Sequence, residues 1–369
     1  MTGLAVAADD RTGALETAAA CADAGFTTRL HTHPAARYGT LDRLGADVVD
    51  LRTRHATPGE ARTRAALAEA WPGGHHAHKI DSTLRGNWAV ELAGRIDAGR
   101  RRIVVLAAFP AAGRVCRDGV VLDHGVPVAE GPAGRDPRHP VHDSEPAVHL
   151  ARAGVVVTAV RDADALTAWL ARGDVGVVVV DATTDADVGA VAHAVAAHPD
   201  VLLAGTAAAI GALADAIGPG RRQSLDTALG TPVLVVVGSA HPMARRQVAG
   251  LVAAGAIVDD GTATDADRAR WLVLVAPDER GDPLAVCRAL AARALARHDR
   301  RHDRTLVLVG GDTADAVLGE RALTVEGSLG IGVARCHLVD DPSVTVVTKP
   351  GGFGDEGTLV RLLTAGAPA

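Results

Sequence analysis

The chain has 369 residues, 48% of them hydrophobic and 22% charged, a composition that fits a folded globular protein and excludes a disordered one. With 38 basic and 44 acidic residues the formal net charge is −6, so it lacks the basic field of a dedicated nucleic-acid binder. The length leads to an expectation of two domains. In chain order, strands are predicted at residues 4–8, 26–32 and 46–51, and helices at 13–24 (ended by Gly25), 58–71 and 88–96. Further strands follow at 102–107, 155–160, 175–181 and 201–204, each beside helical sequence. The valines at 177–180 do not alternate with polar residues, as expected of a strand buried on both faces. Repeated strand–helix order predicts an α/β fold with open, mostly parallel sheets covered by helices.

Two segments break the pattern. Residues 113–144 are rich in Gly, Pro, Asp, Arg and His, with one hairpin signal at 120–128. Irregular segments of this length inside compact proteins are usually functional, a plain surface excursion being the alternative. The turn-rich stretch 218–232 reads as a linker. After it come strands at 233–237, 271–276, 305–309, 333–338 and 344–347, with helices at 242–254, 283–297, 312–318 and from 355. The expected organisation is two α/β domains, residues 1–225 and 226–369.

The four cysteines, Cys21, Cys116, Cys287 and Cys336, include no C-x-x-C pair, so neither a disulfide scaffold nor a zinc knuckle is expected, and a cytoplasmic location is. The apolar run at 4–8 is too short for a signal-peptide core. The uncharged stretch 227–244 is broken by Pro232 and Pro242, so no membrane span is expected. His31, His33, His75, His76 and His78 lack zinc-ligand spacing and read as polar edge-strand residues; no metal ligand set is assigned. The arginine patches at 100–102 and 297–304 read as solvated helix ends.

One bias inside the composition is informative. Lys79 and Lys349 are the only lysines, Asn87 is the only asparagine, and there are three phenylalanines. Residue types so sparingly retained are candidates for positions where chemistry needs them. Asp9 and Asp10 stand where the first strand ends and a helix begins, the edge at which open α/β sheets bind ligands. Helix capping explains one aspartate. Two adjacent ones can also orient a sugar hydroxyl, act as a general base or hold a metal.

Residues 79–87 gather Lys79, Asp81, Ser82, Thr83, Arg85 and Asn87. An arginine fork suits a carboxylate, a lysine suits a carboxylate or phosphate, and Asp81 with Asn87 can bond vicinal hydroxyls. A capping segment led by Asp81 or Ser82 is the alternative. Three strand–glycine–helix junctions follow in the second half: Gly238 with Ser239, then Gly310, Gly311, Asp312 and Thr313, then Lys349 with Gly351, Gly352, Phe353 and Gly354. Backbone amides at such helix starts cradle phosphate, although each junction alone also suits a tight connection. The P-loop pattern is absent. Together the junctions suggest a nucleotide on the second domain facing a polyhydroxy acid on the first.

These motifs fall in an order that resembles the four-carbon acid sugar kinase family. The resemblance is carried by Asp9, Asp10, Thr12, Gly13 and Ala14, by residues 79–87, and by residues 108–114, 125–130 and 135–141. Residues 310–313 and 349–354 complete it, so it spans nearly the whole chain. It implies a substrate-binding N-terminal domain (1–225), a nucleotide-binding C-terminal domain (226–369), an active site in the interdomain cleft, and ATP-dependent phosphorylation of threonate, erythronate or an oxo-tetronate. It further implies sugar-acid contacts at Asp9, Asp10, Asp81, Ser82 and Arg85. ATP contacts are implied at Ser239, residues 310–313, and Gly351 or Gly352. The chain departs from the family pattern at Arg11 (usually Leu), Leu15 and Glu16 (usually Asn and Asp), His241 (usually Ser) and Pro350 (usually Ser).

The expected reaction is in-line transfer of the γ-phosphoryl group, a process of positioning and charge stabilisation. Arg85, with Arg11 or Arg114, would hold the substrate carboxylate, and Asp10 or Asp81 would accept the hydroxyl proton. The glycine turns with Mg²⁺ would hold the triphosphate, and Lys349 or Lys79 would offset developing charge. The expected partners are a small sugar acid and ATP, with neither nucleic acid nor membrane; a homo-oligomer is left open. A nicotinamide-dependent hydroxy-acid dehydrogenase is the rival enzyme, but no G-x-G-x-x-G follows the first strand. A non-catalytic sugar-acid binding protein is the other rival, and it leaves the glycine-rich junctions without a purpose.

Overall fold

The computed structural model describes residues 3–33, 44–136, 138–160, 162–221, 225–259, 266–277 and 282–365. Part of the expected linker (222–224) and one residue of the irregular segment (137) lie outside them. The chain divides into two compact units, residues 1–221 and 222–369.

The first unit opens with β1 (Leu4–Ala8), α1 (Arg11–Asp23), β2 (Thr28–Thr32), β3 (Ala46–Asp50), α2 (Pro58–Leu67), β4 (His75–Lys79) and α3 (Trp88–Asp97). β5 (Arg102–Leu106) leads into the irregular segment, where β6 (Arg114–Arg117), β7 (Val120–Asp123) and β8 (Val126–Pro127) form a small antiparallel sheet. Then come α4 (Pro146–Arg152), β9 (Val157–Val160), α5 (Ala163–Ala171), β10 (Gly176–Val180), α6 (Asp185–Ala196), β11 (Val201–Gly205) and α7 (Ala207–Ile217). The main sheet of this unit is parallel throughout, in the order β2-β3-β1-β4-β11-β5-β10-β9. β1, β3, β4, β5 and β11 are buried along their whole length, which is why their sequences do not alternate. Local signals set the helix starts: Thr57 and Glu60 form a capping box with Pro58 opening α2, and Thr184 with Asp187 does the same for α6.

The second unit comprises β12 (Val233–Val237), α8 (Pro242–Ala253), β13 (Ile257–Val258), β14 (Trp271–Val275), α9 (Pro283–Arg301), β15 (Thr305–Val309) and α10 (Gly311–Leu318). β16 (Leu323–Gly330), β17 (Val333–Leu338), β18 (Thr345–Lys349) and α11 (Thr358–Thr364) complete it. Its strand order is β13-β14-β12-β15-β18-β17-β16, with β17 antiparallel to both of its neighbours. Its core is built from valines of β12, β14, β15 and β18 with Trp271, packed under Leu251, Leu359 and Leu363 of the helices. No helix among the described residues is long and apolar enough to cross a membrane.

Several expectations are corrected. The histidine-rich strand is central rather than an edge: β4 pairs with both β1 and β11. Burial is possible because each ring is partnered, His75 with the Ala196 carbonyl at 3.0 Å, His76 with Arg95 at 3.4 Å and His78 with Glu91 at 2.7 Å. The arginine patches are not simply solvated. Arg102 is buried and donates to the Leu170 and Asp174 carbonyls, and Arg301 is buried against Asp303. β16 falls where no strand was expected, since its glycines at 327 and 330 disguise it. The helix expected at 58–71 ends at Leu67 and continues as a 3-10 turn, and the last helix begins at Thr358 rather than 355.

Candidate active site

In the first unit the chain leaves β1 for β2 and β3 on one side, then crosses to β4 on the other. This reversal opens a crevice at the carboxyl ends of the strands, where parallel sheets characteristically bind ligands. Three adjacent strands, β3, β1 and β4, deliver the charged residues there. Asp9 and Asp10 follow β1, and Asp10 caps α1 by accepting the Gly13 amide at 2.8 Å. The loop after β3 is tied to β1 by amides of Thr53 and Arg54 donating to the Asp9 carbonyl at 2.9 and 3.1 Å. That places the Arg54 guanidinium on both oxygens of Asp9, at 2.7 and 2.9 Å, and on Asp10 at 2.7 Å. Arg54 also lies 3.5 Å from Asp81, which follows β4.

Asp81 is itself saturated. It accepts from the Thr83 amide and hydroxyl and takes a two-pronged contact from Arg85 through Nε and Nη2, each at 3.0 Å. Arg85 reaches on to Asp136 at 3.2 Å, and Asp136 accepts the amides of Arg138 and His139. His139 shares a 2.6 Å hydrogen bond with His55. The irregular segment thus reaches the charged cluster at two points. Asn87 donates both amide hydrogens to the Thr53 and Ala56 carbonyls, so it holds the loop that carries Arg54.

The electrostatics separate the three aspartates. Burial pushes the Asp9 carboxyl up to about 7 against the pull of Arg54, with Asp10 and Glu91 adding to the rise. Burial also works to raise Asp81, but Arg85, Arg54 and Lys79 outweigh it and hold that carboxyl well below the ordinary range. Arg54 is raised well above its usual value because its carboxylate partners outweigh its burial. Asp10 is the most open of the three, its side chain 24% exposed against 0% for Asp9 and 9% for Asp81.

The remaining first-unit candidates lie close by. Lys79 is buried and donates to the Ile80 carbonyl at 2.8 Å; its Nζ would be 3.2 Å from a Cβ on Gly13. Arg11 is buried 3.7 Å from Asp50. Arg114 lies 3.6 Å from Asp123, and Ser82 is half-buried in the turn after β4. Glu16 feels Lys79, Asp10, Arg114 and Asp81, and burial raises its carboxyl. The departure from the family pattern at this position therefore faces the cluster.

The second unit repeats the topological device. The chain leaves β12 for β13 and β14 on one side and returns to β15 and β18 on the other. The glycine junctions follow β12, β15 and β18, which are neighbours in the sheet, so three separated motifs become one edge. Gly310 adopts φ +113°, a conformation that favours glycine, and its amide donates to the Lys349 carbonyl at 2.8 Å. A Cβ on Gly351 would lie 1.9 Å from the Ser239 hydroxyl, and one on Gly238 would lie 2.3 Å from that of Thr313. The missing side chains let Ser239, Thr313 and the 350–352 backbone close on one another. Gly352 adjoins the His241 ring, and Asp312 sits in the first turn of α10. Gly354 packs on Thr358. Lys349 is committed inward: its ammonium donates to the Pro350 and Phe353 carbonyls, each at 2.7 Å, and burial lowers it to about 8.

Sequence reasoning missed Arg54, the hub of the first cluster, and Asp136 with His55 and His139. Arg54 is one of many arginines in an unremarkable stretch, and its partners stand 44 and 45 residues away in the chain. Asp136 carried a signal, since it lies in one of the stretches on which the resemblance rests.

A family model described as a sugar-binding N-terminal domain matches residues 4–213, and one described as a nucleotide-binding C-terminal domain matches residues 275–359. The class is therefore that of α/β proteins with an N-terminal domain described as sugar-binding and a C-terminal domain described as nucleotide-binding. The chain is 33% identical to a D-threonate kinase of Bordetella bronchiseptica, over 98% of this chain and 97% of that one. It is 31% identical to a D-erythronate kinase of Heliobacterium modesticaldum, over 67% of this chain and 60% of that one. A crystal structure of a Haemophilus influenzae protein shares the fold with a TM-score of 0.77 at 19% identity, covering 97% and 98% of the two chains. The chain belongs to the four-carbon acid sugar kinase family.

Proposed function

We propose that the protein transfers the γ-phosphoryl group of ATP to a hydroxyl of a four-carbon sugar acid of the threonate or erythronate type. The observation that carries this reading is the division of chemistry between the two switch points. One gathers carboxylates and guanidiniums suited to a hydroxylated acid, and the other gathers glycines, hydroxyls and helix starts suited to phosphate. The D-threonate and D-erythronate kinases among its relatives supply the substrate class.

In this reading Arg85, 35% exposed and the most open guanidinium of the Asp81 cluster, takes the substrate carboxylate, with Arg114 beyond it. Asp10 accepts the proton of the reacting hydroxyl as its oxygen bonds to the γ-phosphorus and ADP leaves. Asp10 suits this role better than Asp81: its side chain is 24% exposed against 9%, and its oxygens accept one hydrogen bond each, from Gly13 and Arg54, whereas Asp81 is held by several from Arg85 and Thr83. Asp9 and Asp81 hold Arg54 and Arg85 in place. Backbone amides at the starts of α8 and α10 and in the 350–354 loop take the phosphates, with the Ser239 and Thr313 hydroxyls beside them. Mg²⁺ binds such sites through phosphate oxygens and one or two carboxylates, and Asp312 is the carboxylate placed at the α10 start. It would neutralise charge on the triphosphate.

The test is a coupled ADP-release assay with MgATP across both enantiomers of threonate and erythronate and their 3-oxo forms. Turnover with one or more of them is expected. No turnover with any of them overturns the reading.

A further inference from the structure

The first unit contains a cavity of about 430 Å³ that the phosphotransfer reading does not use. It lies at the amino ends of β5, β9 and β10, against the end of α3, on the opposite edge of the sheet from Asp9 and Asp81. Five-residue strands rising ~3.3 Å per residue separate the two edges by roughly 16 Å. The cavity is therefore not an extension of the charged crevice.

Its wall is apolar: Ile96, Val155, Val156, Val175 and Val177 line it. Val155 and Val177 are buried, but Val156 is 89% exposed and Val175 60% exposed, so part of the apolar wall is open to solvent. Gly99, Gly154 and Gly176 stand at the turns around it, and the space a Cβ would take at each is open for 4 Å. The room is thus not filled by neighbouring turns.

The rim is cationic. Arg62, Arg100 and Arg101 line the cavity with Asp97 as the one carboxylate. Arg62 is bound to Asp97 at 2.6 Å, and Arg100 is bound to Glu69 through Nε at 2.9 Å and Nη2 at 2.7 Å. Arg101 is exposed, and no carboxylate pairs with it among the described residues. An apolar cavity of this size with few polar groups at its mouth is the usual form of a small-molecule site. An open guanidinium at the mouth selects a planar anion with two oxygens.

We propose that this cavity binds an organic carboxylate with an apolar body, its chain on the valines and its carboxylate on Arg101. A four-carbon sugar acid, with an oxygen on every carbon, has no apolar body to place there. The site is thus distinct in ligand class as well as position.

Isothermal titration calorimetry of the full chain with octanoate tests this, with octylammonium as the charge-reversed probe. Octanoate should bind at one site per chain. Arg101→Glu and, separately, Val156→Asp should each weaken it at least ~10-fold, since each removes one of the two recognition elements. Both positions are exposed, so both variants should fold; Val175→Asp serves as a second apolar-wall variant. Saturating sugar acid with MgATP should leave octanoate binding unchanged, whether or not turnover is seen. The proposal is overturned by no octanoate binding at millimolar concentration, by equal binding of octylammonium, by undiminished binding to Arg101→Glu, or by displacement with the sugar acid.

Discussion

Arg54 grips Asp9 with two nitrogens, Nε at 2.7 Å and Nη2 at 2.9 Å, while its third nitrogen holds Asp10 at 2.7 Å. Asp9 is fully buried, so this guanidinium is what allows a charge to stand at the end of β1. Breaking a buried pair from one side costs ~3–5 kcal/mol, because the other charge is left uncompensated. Arg54→Ala should therefore lower unfolding free energy by about that amount in urea and abolish measurable turnover. Arg54→Lys should restore part of the stability but little turnover, because an ammonium cannot match the two-pronged geometry. A lysine variant with full activity would show that charge alone suffices.

Asp10 and Asp81 should separate under substitution. Asp10→Asn keeps a capping residue on α1, since asparagine caps about as well as aspartate, yet it removes the proposed base. The expected result is a ~10²-fold or greater fall in kcat with the fold retained. Asp81→Asn instead strips a charge from between Arg85 and Arg54, so it should reduce stability and raise KM for the sugar acid. Full kcat in Asp10→Asn would remove it from the base role.

On the nucleotide side, Gly351→Ala places a methyl group 1.9 Å from the Ser239 hydroxyl, a clash that must move one of them. Overpacking of this kind costs ~1–3 kcal/mol. KM for ATP should rise while KM for the sugar acid holds. Adding Ser239→Ala should recover part of the stability loss, because it removes the nearer of the two atoms struck and leaves the Ser239 Cβ at 2.5 Å; a strictly additive double variant would deny the contact.

On β4, His76 should work against stability as pH falls, while Asp9, raised to about 7, works in the opposite direction over the same range. Burial, with Arg95 and Arg100 nearby, lowers His76 from 6.5 to about 4. The unfolded chain takes up this proton from pH 6.5 downward, while the folded one resists it until about pH 4. The His76 contribution to stability is therefore complete above 6.5 and is lost as pH falls toward 4, by about 3 kcal/mol in all. Urea unfolding of the chain and of His76→Leu at pH 7 and at pH 4.5 isolates this part: on acidification the variant should lose less stability, or gain more, than the parent chain. An equal change in the two would place the acid sensitivity elsewhere.

The glycine junctions and the aspartate pair were legible because each is local. A strand, a sharp turn and a helix start lie within a dozen residues, and the backbone needs of that turn select the residues. The rarity of lysine pointed to both sites, yet the structure shows another use for it. Lys349 donates to the carbonyls of its own loop, and Lys79 donates to Ile80. An ammonium that shapes a loop and one that meets a phosphate leave the same trace in composition.

The sequence by itself determined the α/β class, the strand ends that carry polar groups and the two-part order of the chain, because propensity, periodicity and turn chemistry act over short distances. Only the tertiary structure decided that β3, β1 and β4 lie side by side, and likewise β12, β15 and β18. Strand order depends on crossover connections, whose outcome rests on packing across many tens of residues. From that order came the partnership of Arg54 with Asp9, the burial of the histidine strand, and the merging of three glycine turns into one edge.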